Sequence, residues 1–294
     1  MGKSISGYSY PHEFSLDDAN KVLNGKLPSE LFEYDIKHIL QNRFAFGHTK
    51  SSTHPKAKSS YLMDIKQSSV AIINPKKTKD ALDLVISFLC ASCVLDKSVI
   101  FVTNESKLGS RSDIFVNAAK SCGCGYITKW KSGVLTNWTS TLRAMKRIER
   151  YEKETELSLE RSDESSEDSS FIEQLKNKKI EKDKKRDYNN LKTSFGGIVG
   201  SKRLPDIIVV DNISFNKQTL KEAKSLGIPV ISLTDSNIDP STVDFPVPGN
   251  DDSDHSLRFF AGLISAAISL SKNKDSVKNF TDSDASPKSV ELEN

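Results

Sequence analysis

Residues 204–253 constrain the fold more than any other stretch, because two short runs rich in Ile and Val flank a segment of helical composition. The runs lie at residues 207–210 and 226–233, and turn-forming Pro, Gly and Asp residues bound them. Runs of this length and composition are typical of buried parallel strands. The intervening segment, Lys217–Ser225, predicts a helix that ends at Gly227, a residue suited to a helix C-cap. The stretch is therefore predicted to be a β-α-β unit.

The same alternation of apolar runs and amphipathic segments continues on both sides of this unit. Predicted strands are residues 70–74, 98–103, 125–128 and a run starting near 243, and predicted helices are 78–93, 113–121 and 257–268. Strands that alternate with helices of about 10–15 residues indicate a parallel sheet covered by helices. We therefore predict an α/β fold of the flavodoxin or Rossmann type, a doubly wound parallel sheet with helices on both faces. Residues 70–74 would be its first strand.

A helix is also predicted before the first strand. Ser29 is suited to cap a single short helix that runs to Leu40. Leu31, Ile36 and Leu40 would form its apolar stripe and face the core.

Composition divides the chain into a core and three polar additions. Residues 29–141 and 195–271 are predicted to form the α/β core. Residues 142–194 are rich in charges of both signs, with an acidic, serine-rich centre, and predict an inserted charged helical hairpin whose two helices are joined by a disordered link. Residues 1–28 and 272–294 predict a polar N-terminal extension and a polar C-terminal tail.

Overall charge and motif content narrow the function only a little. The chain has 294 residues and a formal net charge of +3, an excess too small to indicate nucleic-acid binding unless the cations are concentrated locally. No apolar run approaches the about 20 residues that a membrane-spanning helix needs, so we expect no membrane partner. No glycine-rich phosphate-binding loop follows a predicted strand. The histidines show no pattern of a catalytic triad.

Four short motifs occur in a fixed order within the central stretch. They read Ile-Val-Val-Asp at 208–211, Gly-Ile-Pro-Val at 227–230, Asp-Ser-Asn at 235–237 and Phe-Pro-Val-Pro-Gly-Asn-Asp-Asp at 245–252. In this order they resemble the small-subunit ribosomal protein two family, of the bacterial and organellar type. The resemblance implies a structural protein of the small ribosomal subunit and not an enzyme.

Two loops outside the central stretch extend the resemblance. The first matches the family pattern at Phe46, Gly47, His48, Pro55, Lys56 and Tyr61, while Thr53 and His54 replace an aromatic residue and an Asn. The second matches at Trp130, Gly133, Leu135, Thr136 and Asn137, with Ser132 in place of a second glycine. The family also has a helical hairpin where residues 142–194 stand, and a Gly-Gly-Ile like that at 196–198.

Lysines are concentrated in these two loops. Cations beside aromatic or imidazole rings suit contact with an RNA backbone and stacking on a base, although a single loop lysine is more often only solvated. Because the resemblance implies rRNA contact, we identify candidate RNA-binding residues in the two loops and the 250 turn. They are His48, Lys50, His54, Lys56, Lys58, Lys129, Trp130, Lys131, Thr136, Asn137 and Asn250.

The resemblance also implies partners and a location. The core would bind small-subunit rRNA, the hairpin would contact neighbouring small-subunit proteins, and neither a cofactor nor a homo-oligomer is expected. The extension at 1–28, the enlarged acidic link and the altered residues 53–54 depart from the usual pattern and favour a mitochondrial member. A plastid or bacterial cytoplasmic origin is the alternative, and a family member with a role outside the ribosome is a further one.

The sequence also allows two other kinds of site, a metal or cluster site and a phosphate- or Mg²⁺-binding site. Cys93, Cys122 and Cys124 could meet at one edge of the sheet and bind zinc or an iron–sulfur cluster, although buried cysteines are commonly small apolar residues. Asp211, Asp235 and Asp239 follow predicted strands, where a doubly wound enzyme would bind a phosphosugar, a nucleotide or Mg²⁺ with the 235–251 loops. Aspartates at such positions also cap turns by accepting hydrogen bonds on their side chains, and we favour this interpretation.

Overall fold

The computed structural model describes residues 28–64, 68–160 and 171–272, with side chains at 156–160 and 171–181 excepted. The predicted N-terminal extension, the acidic link and the polar tail therefore fall almost entirely outside the described residues.

Helices and strands alternate along most of the described chain. The strands are β1 Phe46–Thr49, β2 Leu62–Met63, β3 Val70–Ile73, β4 Val99–Val102, β5 Gly125–Ile127, β6 Ile207–Val210, β7 Val230–Thr234 and β8 Phe245–Pro248. The helices are α1 Pro28–Leu31, α2 Ile36–Gln41, α3 Pro55–Ser60, α4 Pro75–Val94, α5 Glu105–Leu108, α6 Ser112–Ser121, α7 Trp138–Glu160, α8 Phe171–Phe195, α9 Lys217–Leu226 and α10 Asp254–Lys272.

Five strands form a parallel sheet in the order β5-β4-β6-β7-β8. Strand β4 pairs in parallel with β5 and with β6, in a register that aligns Phe101 with Tyr126 and with Val209. Strand β8 contains Pro246 and Pro248 and lies at the edge of the sheet, the position where the missing N–H groups of proline cost least. The prediction of an α/β, doubly wound parallel sheet with helices is confirmed.

The chain divides into two compact units. The first contains the chain up to Ser98, residues 121–123 and the chain from Ile231 onward. The second contains Val99–Lys120 and Cys124–Val230.

The first unit contains a small antiparallel sheet that the sequence did not predict. Its strand order is β1-β3-β2, and β3 aligns Ile72 with Phe46 on one side and with Met63 on the other. Residues 70–74 were predicted to begin the parallel sheet, and that prediction was wrong. Strand β3 pairs instead with segments that precede it in the chain, and the Ile73 N–H extends this pairing by donating to the Ala45 carbonyl.

Two helices supply most of the apolar core of the first unit. Helix α4 packs against α10 and against β8, and Phe88 stacks on Phe245 with ring centroids 4.3 Å apart. The predicted stripe of α10 is buried along its length, at Leu257, Phe260, Ala261, Ile264 and Ile268. Burial of such a stripe is the main source of stability for an amphipathic helix.

The single helix predicted from Ser29 to Leu40 is divided in two. Glu33 has a positive φ of 52°, and Asp35 starts α2 as its N-cap by accepting a hydrogen bond from the His38 N–H. The interruption rotates the second half, so Ile39 is buried while Ile36 and Leu40 are 40% and 47% exposed. The expected apolar stripe was therefore wrong, because a capping aspartate overrode the helical periodicity.

The second unit combines the strands β5, β4 and β6 with two long charged helices. Phe101 and Phe115 pack edge to face, with ring centroids 5.7 Å apart. Helices α7 and α8 pack against each other, and Tyr151 stacks on Tyr188 at 4.3 Å between centroids. The Tyr188 hydroxyl donates to a Glu152 carboxylate oxygen at 2.8 Å. These contacts pair the two helices near the core.

The chain returns from α8 to the sheet through Gly196 and Gly197. A Cβ atom built on Gly197 would collide with the carbonyl oxygen of Tyr126 in β5, whereas one on Gly196 would meet only the flexible Lys192 side chain, at 3.2 Å. Only glycine therefore fits at 197, because a backbone atom cannot give way without moving the strand.

We predict that Gly197→Ala lowers the free energy of unfolding by about 1–3 kcal/mol, the usual cost of overpacking. Gly196→Ala is the matched control and should change it much less, since a lysine side chain can move aside. Urea unfolding monitored by circular dichroism measures both. Equal effects from the two substitutions would show that Gly197 is not under this constraint.

Candidate nucleic-acid interface

The first candidate loop lies in the first unit, where His48 is held between two carboxylates. Its Nδ1 lies 3.3 Å from Asp235 Oδ2 and its Nε2 lies 3.3 Å from Asp252 Oδ2. Its backbone N–H donates to Ser236 Oγ at 2.8 Å. Gly47 allows this approach, since a Cβ there would stand 2.6 Å from the Ser236 hydroxyl.

These carboxylates set the charge of the His48 ring. Burial of the ring would lower its pKa, but the charge and hydrogen bonding of Asp235, with the charges of Asp252 and Asp251, outweigh it and raise the pKa above the ordinary value. The two carboxylates therefore favour the protonated form of the His48 ring.

His54 and Lys56 also contact the protein itself. The His54 backbone N–H donates to the Ser236 carbonyl at 2.8 Å, and its ring accepts a hydrogen bond from the Lys56 N–H at the start of α3. Lys56 Nζ lies 2.8 Å from Asp239 Oδ2 and 2.7 Å from Ser241 Oγ. The hydrogen bonds from Lys56 and Ser241 hold the pKa of Asp239 well below its usual range. This contact closes the loop onto the turn after β7.

Lys50 and Lys58 present their side chains at the surface of the same loop region, and both are exposed. Together with Thr53 and the apolar Leu62 and Met63 they line a shallow cavity of about 150 Å³. Asn250 has a different role, because its Oδ1 accepts hydrogen bonds from the Asp252 and Ser253 N–H groups at 2.9 and 3.2 Å. Asn250 thus holds the turn that leads into α10.

The second candidate loop, residues 129–137, lies in the second unit and surrounds one buried carboxylate. Glu222 of α9 is only 4% exposed. Its Oε1 accepts hydrogen bonds from Trp130 Nε1 at 3.2 Å and the Gly133 N–H at 2.8 Å. Its Oε2 accepts from the Leu135 N–H at 3.0 Å and, more weakly, from the Thr136 N–H at 3.4 Å. A single side chain therefore fixes the path of the whole loop.

The hydrogen bonds to Glu222 keep it charged despite its burial. Burial alone would raise its pKa, but the donors from Gly133, Leu135, Trp130 and Thr136 outweigh it and hold the pKa below the ordinary value. A buried carboxylate that accepts several N–H bonds is stabilised in its ionised form.

The lysines of this loop differ in their surroundings. Lys129 is exposed, whereas Lys131 is half-buried with its Nζ 5.2 Å from the ring centroid of Phe195. Burial, followed by the charge of Lys129, lowers the pKa of Lys131. Asn137 is exposed, and its Oδ1 lies 3.4 Å from the Ser140 N–H in the first turn of α7. The fixed backbone thus displays Lys129 while the other loop residues mostly contact the protein.

Comparison with known proteins connects both loops to one family. The family model for ribosomal protein S2 matches residues 39–271, a range that includes both loops. The small ribosomal subunit protein uS2 of Koribacter versatilis is 32% identical over 79% of this chain and 72% of its own length. The uS2c protein of Cyanophora paradoxa is 32% identical over 79% of this chain and 93% of its own length. The uS2 protein of Wigglesworthia glossinidia brevipalpis is 28% identical over 82% and 94%.

The chain belongs to the ribosomal protein S2 family. This membership makes it a structural protein of the small ribosomal subunit and not an enzyme, as the four central motifs implied.

The S2-family aspartates after the parallel strands make contacts within the protein. Asp211 accepts hydrogen bonds from Thr103 Oγ1, the Asn212 N–H and Asn216 Nδ2. Asp235 accepts from the Ser236 N–H, and Asp239 accepts from the Ser241 N–H at 2.9 Å. These contacts favour the interpretation that the aspartates hold turns over the interpretation that they bind a phosphorylated ligand.

The cysteines are buried or half-buried thiols. Cys90 Sγ lies 4.0 Å from the Ala267 carbonyl, and burial raises its pKa to about 11. Within the described residues, no group of three or more His, Cys, Asp or Glu side chains is arranged to hold a metal ion, and Cys93, Cys122 and Cys124 form no such group. No helix in the described part of the chain is long and apolar enough to cross a membrane.

Sequence reasoning identified the loop at 129–137 but missed the residue that organises it. Glu222 lies in a helix of mostly polar residues, and by pattern alone it reads as a solvated side chain. Only the structure shows that Glu222 shares the inner face of α9 with the buried Thr219 and Ala223.

We predict that Glu222→Gln lowers the free energy of unfolding by about 1–3 kcal/mol, because at least one buried N–H donor loses its acceptor. It should also loosen the loop that holds Trp130. In a Trp138→Phe background, acrylamide should quench the remaining tryptophan fluorescence more strongly after the substitution.

The matched control is Lys221→Gln, which changes an exposed residue of the same helix. Quenching that stays unchanged in Glu222→Gln would mean that the loop does not depend on this carboxylate.

We also predict that Asp211 makes stability depend on pH. Burial raises its pKa from 3.8 to about 6, against the opposing hydrogen bonds from Thr103, Asn212 and Asn216. Because the folded pKa lies above the unfolded one, this group contributes stability that is fully present below about 3.8 and is lost as pH rises through about 6.

Comparison with Asp211→Asn isolates this contribution, since asparagine does not titrate. The free energy of unfolding of the wild type relative to the variant should rise as pH falls from about 7 to about 5. A pH-independent difference would show that Asp211 titrates at its ordinary pKa.

Proposed function

We propose that this S2-family chain binds small-subunit rRNA through its two lysine-bearing loops, within the small subunit of a mitochondrial ribosome. The observation that supports RNA binding most directly is the loop at 129–137. Glu222 accepts three backbone N–H bonds from this loop and two contacts from its side chains, while Lys129 remains exposed. A cation on a preorganised loop binds a phosphate with little loss of conformational entropy.

The candidate residues divide into two groups in this proposal. Lys50, Lys58 and Lys129 are exposed and would contact phosphates directly. The others shape the two loops and the adjoining turns through the contacts described above. They are His48, His54, Lys56, Trp130, Lys131, Thr136, Asn137 and Asn250.

Neighbouring small-subunit proteins are the second class of partner in the proposal. The names of the relatives describe them as small ribosomal subunit proteins, and a protein in such a particle has protein neighbours as well as rRNA. The chain would enter the subunit as one copy and not as a homo-oligomer.

The mitochondrial location is supported by departures from the family pattern. The family match begins at residue 39, which leaves the polar N-terminal extension outside it. Thr53 and His54 replace the usual residues of the first loop, and the acidic link of the hairpin is enlarged. Relatives with plastid-type and bacterial names keep a plastid or bacterial cytoplasmic ribosome as the alternative.

The test is sedimentation of the tagged chain after organelle fractionation of cells that express it. We expect the chain in the mitochondrial fraction, in the small-subunit peak of a sucrose gradient. It should move to lighter fractions after RNase treatment or in high salt, because phosphate contacts weaken steeply as salt rises.

Each other result corrects a different part of the proposal. Sedimentation with a plastid or bacterial subunit would overturn the location alone. Sedimentation with the subunit that survives RNase would indicate attachment through proteins and overturn the RNA contacts. A chain that sediments alone from every fraction would contradict incorporation into a ribosome.

A further inference from the structure

The cavity beside the first candidate loop has surfaces that a phosphate contact alone does not use. It has a volume of about 150 Å³ and lies within the first unit. Its lining combines apolar groups, one carboxylate and two amines, and includes Leu62, Met63, Ala71, Asp64, Lys50 and Lys58. We call this space the loop cavity.

Contacts within the first unit hold the walls of the loop cavity in place. Leu62 is aligned with Ile73 across β2 and β3, and it packs against the buried cluster that contains Ile73. Met63 follows it in the same strand. The Lys50 N–H donates to the Ser69 carbonyl at 3.1 Å, which attaches the loop to the chain just before β3. A site whose walls are already ordered binds a ligand with little loss of conformational entropy.

One class of ligand uses all three surfaces of the loop cavity. A nucleotide has a base with apolar faces, an anionic phosphate and, in cytosine and adenine, an amino group that can donate to a carboxylate. A simple anion or an acidic side chain would instead be repelled by Asp64 and would leave the apolar wall unused. An apolar side chain would leave the amines and the carboxylate unused. The lining therefore favours a nucleotide over these ligands.

We infer that the loop cavity holds one unstacked base, cytosine or adenine, whose amino group donates to Asp64. The neighbouring phosphates would lie on Lys50 and Lys58, which are exposed. Met63 is 42% exposed, and its polarizable thioether suits packing against a base. This inference rests on the proposed function, which supplies the rRNA, and adds to its phosphate contacts a site that reads a base. Unstacked bases occur in the loops and bulges of RNA.

The first test is Asp64→Asn, which removes a negative charge beside two lysines. If the loop only attracted phosphates, this substitution would leave binding unchanged or strengthen it. We expect it to weaken rebinding of the full-length protein to salt-washed small subunits by about 3–10-fold, because the amino group loses a charged acceptor. The matched control is Asp80→Asn, which changes an exposed carboxylate of α4 and should not weaken rebinding.

The second test is Ala71→Leu, which fills the loop cavity while both lysines stay in place. Ala71 is 4% exposed. Loss of the base contact should weaken rebinding by about 10-fold. The slope of log affinity against log salt should not change, because no phosphate contact is removed. Circular dichroism checks the fold of this variant, and Asp64→Asn gives an answer that does not depend on it. A smaller slope in Ala71→Leu, or wild-type affinity in Asp64→Asn, would overturn the inference.

Probing of reassembled subunits with dimethyl sulfate, which modifies unpaired cytosine and adenine, identifies the occupant. One such base should be protected in subunits that contain the wild-type protein and reactive in those that contain either variant. Amine-reactive crosslinks from Lys58 to another protein, with no such base, would overturn the inference and leave the proposed function intact.

Cytidine monophosphate is the probe for a free nucleotide as the source of the base. If it binds the purified protein and Asp64→Asn abolishes this binding, while neither variant affects rebinding to subunits, rRNA is not the source and the inference fails. Wild-type protein that never rebinds to subunits would contradict the proposed function itself.

Discussion

One buried carboxylate organises the part of the second unit that the proposed function uses. Glu222 accepts hydrogen bonds from an indole and from backbone N–H groups between Gly133 and Thr136. These N–H groups do not pair within a helix or strand, and leaving the buried Leu135 N–H without an acceptor would cost about 1–3 kcal/mol. The carboxylate replaces the missing backbone partners. Only then can Lys129 be displayed on an ordered loop.

The first unit also holds a loop in place through carboxylates, but there the loop itself supplies the side chains that contact them. There, Asp235 and Asp239 follow the end of β7, and the side chains of His48 and Lys56, from the loop that crosses over them, contact these two carboxylates. In many doubly wound proteins the carboxyl ends of the strands bind a ligand. Here the loop at 46–56 occupies that region with its own side chains. The same edge that would hold a substrate in an enzyme instead fixes the position of a loop.

The sequence predicted the elements whose signals are local, and it failed where the partner is distant in the chain. The helix at α9 and its C-cap were correct because Gly227 adopts a left-handed φ of 68°, which its place after the last apolar residue indicates. Strand β1 was missed because Phe-Gly-His-Thr has no apolar run, and its pairing with β3 depends on residues that lie more than 20 positions away. The role of Glu222 was hidden for the same reason, since its contacts span 86 to 92 residues.

The net charge of this chain does not predict where its charges are concentrated. A net charge of +3 among 294 residues suggests no strong field, yet opposite charges are not spread evenly. Carboxylates such as Asp235, Asp239 and Glu222 are held inside the loops, where they contact His48, Lys56 and the Gly133 N–H respectively. Lys58 and Lys129 are instead exposed at the surface of the two loops. Opposite charges that lie close together cancel each other's field, whereas exposed cations do not. A polyanion therefore meets mainly the field of the exposed lysines and arginines. Low overall charge and strong local attraction for RNA are therefore compatible in one protein.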